Sequence, residues 1–112
     1  MRLSSLALVV SDANKSAKWY KEKLGFDLRG KEGHWITVAP KGLDIEFHLC
    51  EKFYPLEPGI TGFCFTSKDV AKEQKKLESK GVKFTQPAKK EAWGTSALFA
   101  DPDGNEFWIV EE

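Results

Sequence analysis

Leu6-Ala7-Leu8-Val9-Val10-Ser11-Asp12 is an apolar run ending at an acid, and the helical stretch after it closes on Leu24-Gly25-Phe26. Ile60-Thr61-Gly62-Phe63-Cys64-Phe65-Thr66-Ser67-Lys68-Asp69 repeats that design, and its helical stretch closes on Lys80-Gly81-Val82. Asp12 and Asp69 lie 57 residues apart, Gly25 and Gly81 56 apart. A near-constant offset of half the chain implies two copies of one supersecondary unit. Paired units of this kind create a cleft, and clefts hold small molecules.

Each copy can be read element by element. Residues 3–10 are short, apolar and β-branched at the end, the signature of a buried strand. Asp12 suits a helix N-cap, Ala13, Ala17, Tyr20 and Leu24 recur at helical spacing, and Gly25 suits the left-handed cap position. Strands are expected at 26–29, 34–39 and 43–50, with Pro40-Lys41-Gly42 as a turn. The second copy predicts a strand at 60–66, a helix near 69–80 with Val70, Gln74 and Leu77 on one face, and a strand at 82–86 that breaks at Pro87. Further strands are expected near 92–100 and 105–110, around the turn Asp101-Pro102-Asp103-Gly104. The chain therefore reads as one α+β domain: a βαβββ module over about 1–52, a linker over about 53–59 and a second module over about 60–112.

Composition narrows the function classes. Seventeen basic residues balance seventeen acidic ones, which argues against nucleic acid or an anionic membrane as partner. No apolar stretch approaches the ~18 residues of a membrane span. Met1-Arg2-Leu3 leads straight into a strand-like run, so the expected location is cytoplasmic. Cys50 and Cys64 lack metal or redox spacing and are expected to be buried free thiols. No Gly-x-Ser-x-Gly, Walker or Gly-x-Gly-x-x-Gly pattern is present.

The tail Trp93-Gly94-Thr95-Ser96-Ala97-Leu98-Phe99-Ala100-Asp101-Pro102-Asp103-Gly104-Asn105-Glu106-Phe107 is the most specific string. Together with Asp12, Trp19-Tyr20 and Leu24-Gly25-Phe26, it resembles the vicinal oxygen chelate superfamily: glyoxalases, bleomycin-resistance proteins and extradiol dioxygenases. That resemblance implies two βαβββ modules, curled mixed sheets around a cavity, and a homodimer. In the metal-dependent members, ligands sit on the first and last strand of each module. Here those positions carry Ser5, Gly62 and Trp108, and only Glu46 matches. One carboxylate is too few, since a catalytic metal normally takes three protein ligands. No cofactor is expected, and a divalent metal is disfavoured.

Strand alternation sets the expected lining. Ser5, Ala7 and Val9 should share a face with Glu46 and His48, and Gly62, Cys64 and Thr66 one with Trp108 and Val110. Leu6, Leu8, Val10, Phe63, Phe65, Phe107 and Ile109 should face the helices. Small and aromatic residues at the former ligand positions suit a flat or hydrophobic ligand. Ligand-binding candidates are therefore Ser5, Glu46, His48, Gly62, Cys64, Trp93 and Trp108. Glu46 and His48 are candidate orienting groups or, in a lyase, isomerase or dioxygenase-type enzyme, catalytic base or metal ligands. Trp35 is a further candidate wall, and Phe53-Tyr54 could fold over a pocket mouth. Cys50 and His48 are expected on opposite faces, which would exclude a thiolate–imidazolium pair.

Overall fold

The computed structural model describes residues 1–51 and 57–112, so the possible cover at Phe53-Tyr54 lies outside the described residues. The chain forms two compact units, Met1–Pro58 and Gly59–Glu112. The first runs β1 (Ser5–Val10), α1 (Ala13–Leu24), β2 (Asp27–Glu32), β3 (Trp35–Ala39) and β4 (Glu46–Glu51). The second runs β5 (Ile60–Ser67), α2 (Val70–Ser79), β6 (Lys83–Glu91), β7 (Gly94–Ala100) and β8 (Glu106–Glu111). Each is βαβββ, as expected. Strand orders are β1-β4-β3-β2 and β5-β8-β7-β6, and each sheet is mixed, its first and last strands parallel and the rest antiparallel.

The helices begin in the same way. Asp12 Oδ1 accepts from the Lys15 amide at 3.1 Å, and Asp69 Oδ1 from the Lys72 amide at 3.0 Å. A second orphan amide is met from the sheet: Ala13 N–H donates to Glu51 Oε1 at 2.8 Å, and Val70 N–H to Glu111 Oε1 at 2.9 Å. A carboxylate from the last strand thus offsets the positive end of the helix in both units. At the other end Gly25 is left-handed (φ 72°), and its amide returns to Lys21 O.

The cores lie between helix and sheet. In unit one Leu8, Val10, Val38, Phe47 and Leu49 are buried, and Phe26 stacks between Tyr20 and Phe47 at 5.5 and 6.0 Å. Unit two buries Val70 and Leu77 of α2 with Phe99, Phe107 and Ile109. Phe99 and Phe107 stack at 5.4 Å, and Phe65 and Phe63 lie against Phe107 at 5.8 and 6.2 Å. The expected helix-facing set is the one the structure places there.

Two local expectations are corrected. Pro87 does not break the strand: β6 continues through it to Glu91. β6 is an edge strand whose register shifts between Gln86 and Lys89, so the missing proline N–H costs no ladder bond. The adjoining Ala88 amide donates to Gln74 Oε1 at 2.7 Å, which explains a glutamine on the inner face of α2. The thiols are less buried than expected, Cys50 half-buried and Cys64 exposed, because both stand on the sheet face away from the helix.

Asp101-Pro102-Asp103-Gly104-Asn105 is a structural lock. Asp101 Oδ1 accepts from the Asp103 and Asn105 amides at 2.9 and 2.8 Å, and Asp101 Oδ2 accepts from the Asn105 side chain at 2.9 Å. Asn105 Oδ1 in turn accepts from the Gly59 amide at 3.3 Å, tying the turn to the start of β5.

Candidate functional site

Strand register arranges the side chains that face away from each helix. In unit one the register pairs run Ala7–His48–Thr37–Gly30 across β1, β4, β3 and β2. In unit two they run Cys64–Trp108–Leu98–Gln86 across β5, β8, β7 and β6. Counting back from the helix-capping glutamates, Glu51 and Glu111, the counterpart of Trp108 is His48 and that of Glu46 is Glu106. The sequence comparison, which set Trp108 against Glu46, was two residues out of step. One full pleat separates the two alignments, so periodicity cannot distinguish them.

Ser5 lies opposite Glu46, and both are half-buried. Gly62 sits in a break of register between Ile60 and Cys64 with φ 76°, a conformation that L side chains rarely adopt. Thr61 repairs that break: its hydroxyl donates to Glu106 O at 2.8 Å and accepts from the Phe63 amide at 3.1 Å. Gly62 is thus explained by the backbone without any ligand. Trp93 stands in the tight β6–β7 turn, 65% exposed and well along the hairpin from the Trp108 row.

His48 gains a partner that sequence reasoning had only as a candidate wall. The indole of Trp35 stacks on the imidazole with centroids 4.1 Å apart and planes at 28°. Glu46 is two residues away along the strand, on the same face, roughly 7 Å from backbone to backbone. Cys50 shares the His48 face, contrary to the opposite-face expectation, because residues two apart on a strand point the same way. Both line an open hollow of about 470 Å³ with His34, Gly33, Asn14 and Glu51.

The donor set does not fit a transition metal. Ser5 offers a hydroxyl, Gly62 nothing and Trp108 a donor-only indole. Among the described residues no three His, Cys, Asp or Glu side chains gather into a ligand group. Nor, among the described residues, is any helix long and apolar enough to cross a membrane.

Comparisons with known proteins agree with this architecture. The family model described as Glyoxalase/Bleomycin resistance protein/Dioxygenase superfamily matches residues 2–109. TnmS3, an antibiotic-binding protein from Streptomyces sp. CB03234, superposes with a TM-score of 0.86 at 33% identity, over 99% of this chain and 95% of that one. A superfamily member from Sphaerobacter thermophilus DSM 20745 gives a TM-score of 0.86 at 30% identity, over 100% and 98%. The glutathione transferase FosA of Serratia marcescens is 32% identical over 92% of this chain and 75% of its own length. With a family model matching almost its whole length, the chain belongs to the glyoxalase/bleomycin resistance protein/dioxygenase superfamily.

Proposed function

We propose that the protein binds and sequesters a small hydrophobic or aromatic compound without a bound metal. The observation that carries this reading is the Trp35–His48 stack, whose indole is 48% exposed beside the hollow that His48 lines. A half-exposed aromatic surface gives a flat molecule something to stack on, worth about 0.5–1.5 kcal/mol per ring beyond area burial. Trp108, half-buried between Cys64 and Leu98, offers a second apolar surface in the other unit. Similarity to an antibiotic-binding protein supports the same reading. Ser5, Glu46 and His48 are its polar orienting groups. A homodimer in the cytoplasm completes the proposal.

The test is a calorimetric titration of a panel of bicyclic aromatic compounds. Trp35→Ala and Trp108→Ala should each weaken binding by at least ~1 kcal/mol, about fivefold. Unchanged affinity in both variants would sink the stacking reading. Similarity to FosA favours one rival, an enzyme with Glu46 or His48 as base. In that case Glu46→Gln abolishes turnover of a bound compound, whereas in a binding protein it only trims affinity.

A further inference from the structure

Thr37 is wholly buried, and its Oγ1 is, among the described residues, a buried side-chain polar atom with no hydrogen-bond partner. Nothing in the packing demands a hydroxyl there, for the corresponding position of unit two is Leu98. Buried polar groups are ordinarily paired, so an orphan calls for a reason.

The surroundings of this hydroxyl supply one. Thr37 sits between Gly30 on β2 and His48 on β4. The Trp35 indole touches both flanks: it stacks on His48 and also approaches Gly30. A Cβ at Gly30 would lie 2.9 Å from Thr37 Oγ1 and 3.4 and 3.7 Å from Trp35 Cδ1 and Nε1. The ring therefore lies across the Thr37 row, and the glycine leaves space for hydroxyl and indole together. That ring is itself 48% exposed, so little packing holds it down. His48, on which it stacks, is also part of the wall of the hollow.

We propose that Trp35 is a lid over the Thr37 hydroxyl, and that this site selects flat aromatic molecules bearing a carbonyl group. The ligand parts the indole from His48 and lies between the two rings, stacked on both. Its carbonyl oxygen then accepts the hydrogen bond that Thr37 Oγ1 lacks. Because the orphan is relieved only in the complex, affinity is tied to the acceptor, and a plain hydrocarbon of the same shape gains stacking alone. This deepens the binding function proposed above and rests on it.

The probes are coumarin and naphthalene, two fused six-membered rings of similar shape, one with a carbonyl and one without. Both are titrated into the full chain by calorimetry. The wild type should bind coumarin at least tenfold more tightly than naphthalene. Thr37→Val, which keeps the shape and removes the hydroxyl, should bring the two within about twofold by weakening coumarin. Thr37→Ser, which restores the hydroxyl, should regain the preference even where the valine variant folds poorly. With 5-fluorotryptophan incorporated, the fluorine resonance that Trp35→Phe deletes should shift on saturation with coumarin. A coumarin preference that survives Thr37→Val, or a Trp35 resonance that stays put at saturation, overturns the lid and leaves the binding function standing. Binding of neither probe to the wild type overturns both.

Discussion

The two units share a frame and differ on one face. Both start their helix with an aspartate cap, both bring a glutamate from the last strand onto the first helical amide, and both run strands in the same order. On the face away from the helix, unit one presents Ala7, His48, Thr37 and Gly30 beneath an indole. Unit two presents Cys64, Trp108, Leu98 and Gln86. The Trp35 position, two residues before Thr37, corresponds to Ser96, which is buried. What the duplication preserves is therefore backbone chemistry at helix ends. What it lets diverge is the open row, where no helix must be packed.

The buried faces offer the sharpest way to test how alike the units are. Phe47 and Phe107 are counterparts: Phe107 is wholly buried and lies against Phe63, Phe65 and Phe99, while Phe47 stacks on Phe26 and is 6% exposed. Phe107→Ala should cost about 3–5 kcal/mol, because a ring-sized cavity opens amid aromatic neighbours that cannot collapse into it. Phe47→Ala should cost less, about 2–4 kcal/mol. Urea denaturation reads both. Equal losses would mean that the aromatic cluster of unit two adds no stability of its own.

A smaller effect separates the turns. The turn before β8 carries the Asp101–Asn105 network, while the loop before β4 is tied by Arg29, which donates to Leu43 O and Pro40 O at 2.9 and 3.1 Å. Asn105 is buried, and Asn105→Ala removes its side-chain bonds to Asp101 Oδ2 and the Gly59 amide, so about 1–3 kcal/mol should be lost. Arg29→Ala removes exposed bonds that water replaces, and thermal melting should show a markedly smaller shift. The reverse order would place the stability of these turns in the arginine clamp.

How much of this was legible follows the same division. Helix ends are local: Asp12, Gly25 and Asp69 act within a few residues, so their sequence signals were sufficient. The apolar alternation of β5 and β8 likewise announces which residues meet the helix. Pro87 misled, because whether a strand tolerates proline depends on its place in the sheet, and edge position is a property of topology. The pairing of Trp108 with His48 was hidden for a related reason: a slip of two residues preserves every inside-outside assignment. Thr37 gave no signal at all. Its significance comes from an indole that leans across from a neighbouring position, and strand periodicity does not report which way a side chain leans.

The helix-capping glutamates carry the smallest expected effect and test the shared frame most directly. Glu51 and Glu111 hold matching amides at 2.8 and 2.9 Å, each at the positive end of a helix. Replacing either by alanine removes a charge-assisted bond and the attraction to the helix dipole, about 0.5–2 kcal/mol. Glu51 is exposed and Glu111 half-buried, so water compensates the first loss more fully, and Glu111→Ala should be the costlier of the two. Added salt should narrow the gap between wild type and each variant, since screening weakens a charge at a helix end. If denaturation showed a loss for one glutamate and none for the other, the equivalence that aligns His48 with Trp108 would lose its energetic support, because that alignment counts from these two residues. If both losses appear and both shrink with salt, the two modules begin their helices by one mechanism, and the divergence of their open faces stands out as change on a conserved frame.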